Sequence, residues 1–356
     1  MGAQVKTPRF YVDIPTFLHA TGQVGWDDSA GGAELLYMNP SNPYTVNAQT
    51  SGELTPFSIG SSANNTPKTS FPVNFCALLN HNLGFNTKKF QLFGKKGLTS
   101  ATNVIFNPVN EILNSNHEGD LIDPTYNGTT IFDFTSTDEY WRSFSIYYNS
   151  SNPIDEGKHQ LGSMVLGRYW DAPNSPDLSL TMSRRFEGIK TKKTMGGKTL
   201  SNIYYDGPTE WTMNAFEDTY KYPPFELDTT SRDGSANNFN QIPKSGLGRK
   251  GLRSWNLTFS YISEDNMWME NEVSNTLTSD DVTPNDDIPN PMLTDDSFNF
   301  VWNCTLGGTL PFIFQPDKTN KNPDQFSICT FNQKTLSVQQ VAYNTYTLSI
   351  TIDEVA

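Results

Sequence analysis

Strict alternation of apolar and polar residues constrains this chain more than any other feature. "DLSLTMS" sets Leu178, Leu180 and Met182 against Ser179, Thr181 and Ser183. "WNLTFSYIS" does the same with Trp255, Leu257, Phe259 and Tyr261, and "YTLSITIDE" with Tyr346, Leu348, Ile350 and Ile352. A period of two gathers the apolar set on one face of an extended backbone, so each segment predicts a strand with one buried and one wet face, as in antiparallel sheets. Composition points the same way. Charged residues make up only 18% of the chain, and Asn, Ser, Thr, Gly and Pro fill the gaps, whereas a helical protein would draw on more Ala, Glu, Lys and Leu. The expected fold class is mostly β: two β-sandwich or β-barrel-like domains of antiparallel sheets with a few short helices.

Two helices are expected. "SFNFVWNCTLGG" offers Ser297 as an N-cap, Phe298, Val301 and Trp302 at helical spacing, and Gly307 as a stop. A second, beginning at Ser263, would carry Glu264 and Asp265 in its first turn.

At 356 residues, a length of roughly 150 residues per domain suggests two domains. The prolines of "WDAPNSPD", residues 170–177, interrupt two strand-rich regions and mark the expected boundary. The resulting division is an N-terminal arm over 1–32, a sandwich over 33–173, and a second β-rich assembly domain over 174–356 with an acidic excursion at 263–296.

A net charge of −13 argues against general binding to nucleic acid or an anionic membrane, which both need clustered positive charge. Cys76, Cys304 and Cys329 show no C-x-x-C spacing and read as small buried apolar residues. The start, "MGAQVKTPRFYVDIPTFLHATG", lacks the apolar core of a signal peptide, and Lys6 stands where a myristoylation signal wants Ser or Thr. With no run of 18 apolar residues, neither Sec export nor a membrane span is expected.

Apparent motifs for chemistry are weak. "GLGRKG" matches G-x-G-x-x-G at Gly246, Gly248 and Gly251, but the alternating segment that follows is a strand rather than the helix a pyrophosphate site requires. His19, His81, His117 and His159 are scattered without metal-ligand spacing. The acidic "SDDVTPNDDIPNPMLTDD" lacks the glycine and closing Glu of a calcium loop, and there is no G-x-S-x-G elbow. Matches to N-x-[ST], such as Asn149 and Asn256, mean little without a secretory signal. No catalytic residue, metal ligand or cofactor is expected.

Charge is distributed unevenly. Residues 182–253 hold 12 Lys and Arg against 8 Asp and Glu, while 263–296 hold ten acids and no base. The basic pieces "SRRFEGIKTKKTMGGK" and "GRKGLR" supply Arg184, Arg185, Arg249, Lys250 and Arg253 as a candidate assembly interface, meeting the acidic segment of a neighbouring copy. A phosphate contact and a plain solvated loop are the alternatives.

The stretch "VNFCALLNHNLGFNTKKFQLFG", residues 73–94, places a polar tetrapeptide between two apolar strands. Phe75, Ala77 and Leu79 alternate with Cys76, Leu78 and Asn80; Phe90 and Leu92 resume the pattern after a turn in which Asn82 and Gly84 can take positive φ. His81 then supports a turn rather than doing chemistry. Leu79, Phe90, Leu92, Phe144 and Ile146 are expected in the core.

"LLNHNLG" resembles a signature of discoidin-like, galactose-binding-like β-sandwich domains in tailed-phage virion proteins. "EYWRSFSIYY" at 139–148 is similar to the strand carrying that family's Trp-Arg pair, here Trp141 and Arg142, and "QLGSMVLGRYWDAP" at 160–173 to its closing strand. The resemblance covers roughly 33–173. The second half, through "WNLTFSYIS", "GGTLPFIFQPD" and "YTLSITIDE", is more loosely similar to tail and baseplate proteins, as "PRFYVD" is to the opening of related virion proteins. The resemblance implies a non-enzymatic virion structural subunit whose partners are other virion proteins and copies of itself. Sugar contacts do not carry over with it. The rival readings are a receptor protein that binds or cleaves a host glycan and a capsid decoration protein.

Overall fold

This computed structural model describes residues 5–22, 33–40, 44–47, 54–60, 71–81, 83, 89–95, 103–124, 128–134, 141, 143–148, 158–185, 189–203, 251–270, 272 and 291–355. The first strands are β1 (Arg9–Asp13), β2 (Tyr44–Asn47), β3 (Leu54–Gly60), β4 (Phe75–His81), β5 (Phe90–Lys95), β6 (Asn103–Phe106) and β7 (Pro108–Leu113). Next come β8 (Asn116–Glu118), β9 (Leu121–Asp123), β10 (Gly128–Phe134), β11 (Ser143–Tyr148), β12 (Lys158–Leu161), β13 (Ser163–Asp171) and β14 (Thr181–Arg185). The last are β15 (Ile189–Lys193), β16 (Thr199–Ile203), β17 (Leu252–Ser263), β18 (Phe312–Gln315), β19 (Ser327–Phe331), β20 (Val338–Ala342) and β21 (Thr345–Glu354). Among the described residues three short α-helices join them: α1 (Ile14–Ala20), α2 (Glu264–Met267) and α3 (Phe298–Cys304). The protein is mostly β, as the alternation predicts.

An eleven-stranded sheet runs β14-β17-β21-β19-β18-β1-β13-β4-β10-β7, with β20 also on β21. A six-stranded sheet, β3-β11-β5-β9-β8 with β6 on β5, packs against it. Phe90 meets Phe132 across the two sheets at 6.4 Å between ring centroids, and Phe106 meets Phe134 at 4.6 Å. Leu79, Phe90, Leu92, Phe144 and Ile146 are all buried as expected, the last four of them in the core between the two sheets of this sandwich-like part. β4 differs from a strand with one wet face. Cys76 and Leu78 join the core between the sheets, Phe75, Ala77 and Leu79 join a second core on the opposite face, and every residue of the strand is buried.

β1 lies within the expected N-terminal arm, yet it pairs with β13 on one side and β18 on the other and closes the middle of the large sheet. Its Phe10 touches Trp170 at 5.5 Å, Phe314 at 5.1 Å and Phe312 at 5.6 Å, so one aromatic core crosses residues 170–177. Polar contacts tie the same three segments. Asp171 accepts two hydrogen bonds from the Arg9 guanidinium, at 2.6 and 2.9 Å, and one from Lys318 at 3.1 Å. Burial alone would raise the Asp171 pKa, but these cations hold it below the usual carboxylate range.

Gly167 of β13 sits opposite Asp13 in β1 and opposite Phe75 in β4. A Cβ there would lie 2.1 Å from the Val12 carbonyl oxygen, far inside contact distance and against backbone that cannot turn away. Gly167→Ala is expected to destabilise the protein by about 1–3 kcal/mol. Urea denaturation of the variant checks this, and an unchanged midpoint would refute so close a strand approach.

The second half follows its pattern except at Leu178, Met182 and Tyr261; β14 is exposed on both faces, with Met182 at 38%. Trp255, Leu257, Phe259, Leu348, Ile350 and Ile352 are buried as expected. Tyr261 is 74% exposed, because a bulge between Phe259 and Ile262 inserts an extra residue and turns Ile262 inward instead. Leu178 lies in a turn before β14 and is fully exposed, since the strand begins only at Thr181. α3 starts as expected, with the Ser297 hydroxyl accepting from the Phe300 N–H. α2 follows Ser263, although that side chain makes no cap hydrogen bond. Among the described residues no helix is long and apolar enough to cross a membrane.

Candidate functional site

The most exposed part of the described chain is the hairpin β15–β16. Its strands pair from Ile189↔Ile203 to Lys193↔Thr199 and form a two-stranded sheet of their own. The turn "TMGGK" closes it. Gly197, at φ 78°, donates its N–H to the Thr194 carbonyl at 2.9 Å, and the Thr194 hydroxyl bonds the Lys198 backbone on both sides. Only glycine takes that φ freely, so the pair of glycines fixes a tight reversal. Every side chain described from Thr191 to Ser201 is exposed, including Met195 at the tip at 109% and Leu200 at 60%. Lys192 shares a face with Leu200, while Lys193 lies opposite Thr199 on the other face.

The basic residues anticipated from sequence divide. Arg184 and Arg185 lie on β14, the outermost strand of the large sheet, and are exposed. Charge on an edge strand also discourages unwanted edge-to-edge pairing. Arg249 and Lys250 lie outside the described residues, as does Arg142. Arg253 is not an interface residue. It is 2% exposed, because it shares the inward parity of Trp255, Leu257 and Phe259 on β17. Its guanidinium pairs with buried Glu354 at 3.1 Å and donates to the carbonyls of Asp324 and Phe326 and to the Ser327 hydroxyl.

Opposite in charge to the hairpin is a cleft of about 670 Å³, lined by Glu264, Asp265, Trp268, Met269, Glu270 and Thr294–Asp296. Its walls come from α2 and the turn before α3. Asp295 braces them by accepting from the Glu270 and Ser297 N–H groups at 3.1 and 2.8 Å. Asp296 is ion-paired with the buried Arg168. Glu264, Asp265 and Glu270 stay exposed at the rim, and half-buried Trp268, packed edge-on against Tyr346, gives the cleft an apolar side.

Among the described residues the groups that sequence might suggest for chemistry lie apart from one another. His81 is fully buried, its Nδ1 accepting from the Leu83 N–H at 3.2 Å. The ring proton therefore sits on Nε2, which donates to the Thr130 hydroxyl at 2.8 Å. Burial pushes the His81 pKa down to about 3 and keeps the ring neutral. Asn82 and Gly84, where positive φ is expected, lie outside the described residues; Asn80, just before His81, has φ 53°, and its Nδ2 donates to the Pro40 carbonyl. His19 contacts the Tyr37 hydroxyl and His117 lies 3.9 Å from Glu111, each in its own neighbourhood. Cys76, Cys304 and Cys329 are buried and form no disulfide with one another. Among the described residues no cluster of three His, Cys, Asp or Glu could hold a metal ion.

No protein-family model, curated protein or solved structure matches this chain.

Sequence reasoning included the hairpin in its basic stretch but did not single out Lys192, Lys193, Lys198 or Met195. The Gly-Gly pair between two short β-type runs was the available signal. Trp268 and Met269 carried none, because only the folded chain sets them beside Thr294–Asp296.

Proposed function

We propose that the protein is a structural subunit of a tailed-phage particle, in the tail or baseplate, that acts by protein–protein assembly. The observation that carries this reading is the hairpin β15–β16, whose described side chains are all exposed in the isolated chain. A lone two-stranded hairpin is marginal in water, and fully exposed Met195 and Leu200 are better accounted for by a protein surface that covers them. The resemblance of residues 33–173 to virion β-sandwich domains supplies the particle.

The test is incorporation. A chain lacking residues 189–203 should keep its denaturation midpoint, since no side chain described there is buried, yet fail to enter particles in a reconstitution. Full incorporation of the deletion variant would defeat the hairpin's role, and absence of the intact protein from purified particles would defeat the reading as a whole. Imaging the particle also separates a tail or baseplate position from capsid decoration.

One observation favours carbohydrate recognition or cleavage instead: Trp268 stands beside several carboxylates in one cleft, a pairing suited to a sugar ring and its hydroxyls. A glycan screen with the purified protein decides it, with tight binding or bond cleavage favouring the host-glycan alternative.

A further inference from the structure

The geometry points to the acidic cleft of a second copy of this chain as the seat of the hairpin β15–β16, an inference that rests on the assembly reading above. The two surfaces match in chemistry. At the hairpin tip a fully exposed Met195 lies between Lys192, Lys193 and Lys198. In the cleft Trp268 and Met269 form an apolar side beneath the exposed carboxylates of Glu264, Asp265 and Glu270. Met195 would pack on the indole, where sulfur against an aromatic ring is favourable, while the lysines meet the rim.

The pairing is between molecules, because the exposure of Met195 places it outside the cleft of its own chain. A hairpin on one surface and a cleft on another make a head-to-tail contact, which builds a ring when its rotation closes and a filament when it does not. Rim charges of this kind steer approach and fix orientation, and they fade as salt shortens the screening length to about 8 Å at physiological strength.

Charge exchange tests it on the full chain. Lys192→Glu with Lys198→Glu makes one protein, and Glu264→Lys with Asp265→Lys makes another. Each alone sets like charge against like and should self-associate about tenfold more weakly than the unaltered chain, while an equimolar mixture restores the complementary pair and recovers association. Sedimentation velocity across a salt series reads the result. A chain that stays monomeric at all concentrations, variants that associate as well as the parent, or a mixture no better than its components would each overturn the inference. In any of those cases, incorporation of the intact protein into particles would leave the assembly reading standing and place the hairpin's seat on another component.

Discussion

Replacing Arg253 with Met will destabilise the protein by about 3–5 kcal/mol, because it takes the guanidinium away from a buried carboxylate. Arg253 and Glu354 have side chains 2% and 1% exposed. The guanidinium also donates to two carbonyls and a hydroxyl and lies 5.0 Å over the Trp255 ring. Met can fill the volume and cover Trp255, but its side chain donates nothing, so Glu354 loses the guanidinium while the backbone N–H of residue 253, at 2.9 Å, still points at it. Pairing Arg253→Met with Glu354→Gln removes the charge that faced the guanidinium and should recover part of the loss, giving a coupling energy in a double-mutant cycle. Urea denaturation of all four proteins measures it. A loss below about 1 kcal/mol in the single variant would place this pair with surface ion pairs.

Asp13 and His81 should give the stability two opposite pH dependences that offset each other. His81 has a folded pKa of about 3 against an ordinary 6.5. Between those values the unfolded chain binds a proton that the native site refuses, so stability rises with pH and is lost on acidification. Asp13, buried at the N-cap of α1 with the Thr16 hydroxyl donating to it at 2.5 Å, is pushed up by burial to about 7 from 3.8. There the native state keeps a proton that the unfolded chain releases, so stability falls as pH rises. Each contributes about 1.4 kcal/mol per pH unit inside its window, and the windows overlap between 3.8 and 6.5.

Asp13→Asn keeps a good N-cap and removes one titration. Relative to the parent, its stability should climb with pH across that interval, by about 3 kcal/mol in all. His81→Gln should descend by a similar amount. Unfolding free energies at several pH values between 4 and 6.5 check both, and parallel profiles for the three proteins would show that neither group titrates differently on folding.

Alternation made β17 and β21 legible because their inward residues need only a core on one side. It also carried information that the charge argument passed over. Arg253 is in phase with Trp255, Leu257 and Phe259, so the pattern already placed it inward, while its chemistry suggested a surface. The bulge that turns Tyr261 outward leaves no mark in a binary pattern, and neither does Leu178, an apolar residue in phase with a strand that begins three positions later. α3 was readable from local capping chemistry at Ser297. β1 was not readable as a central strand, since its partners lie far along the chain. The cleft depends on residues near 268 meeting residues near 295, which no local spacing reveals.

The position of β1 has a consequence for how the protein is made. Tyr11 and its hydrogen-bond partner Gln315 are 304 positions apart. At about 5–20 residues per second, β1 leaves the ribosome roughly 15–60 s before β18 exists. During that interval the nascent chain can build β1 and β4 on either side of β13, and the sheet packed on them, but the outer edge of β1 and the aromatic ring of Phe10 have no final cover. The last segments synthesised complete the binding place of one of the first. Folding is therefore expected to finish late, with β18 docking onto β1 near the end, and a chaperone that shields the open edge of β1 until β18 arrives would raise the yield of native protein.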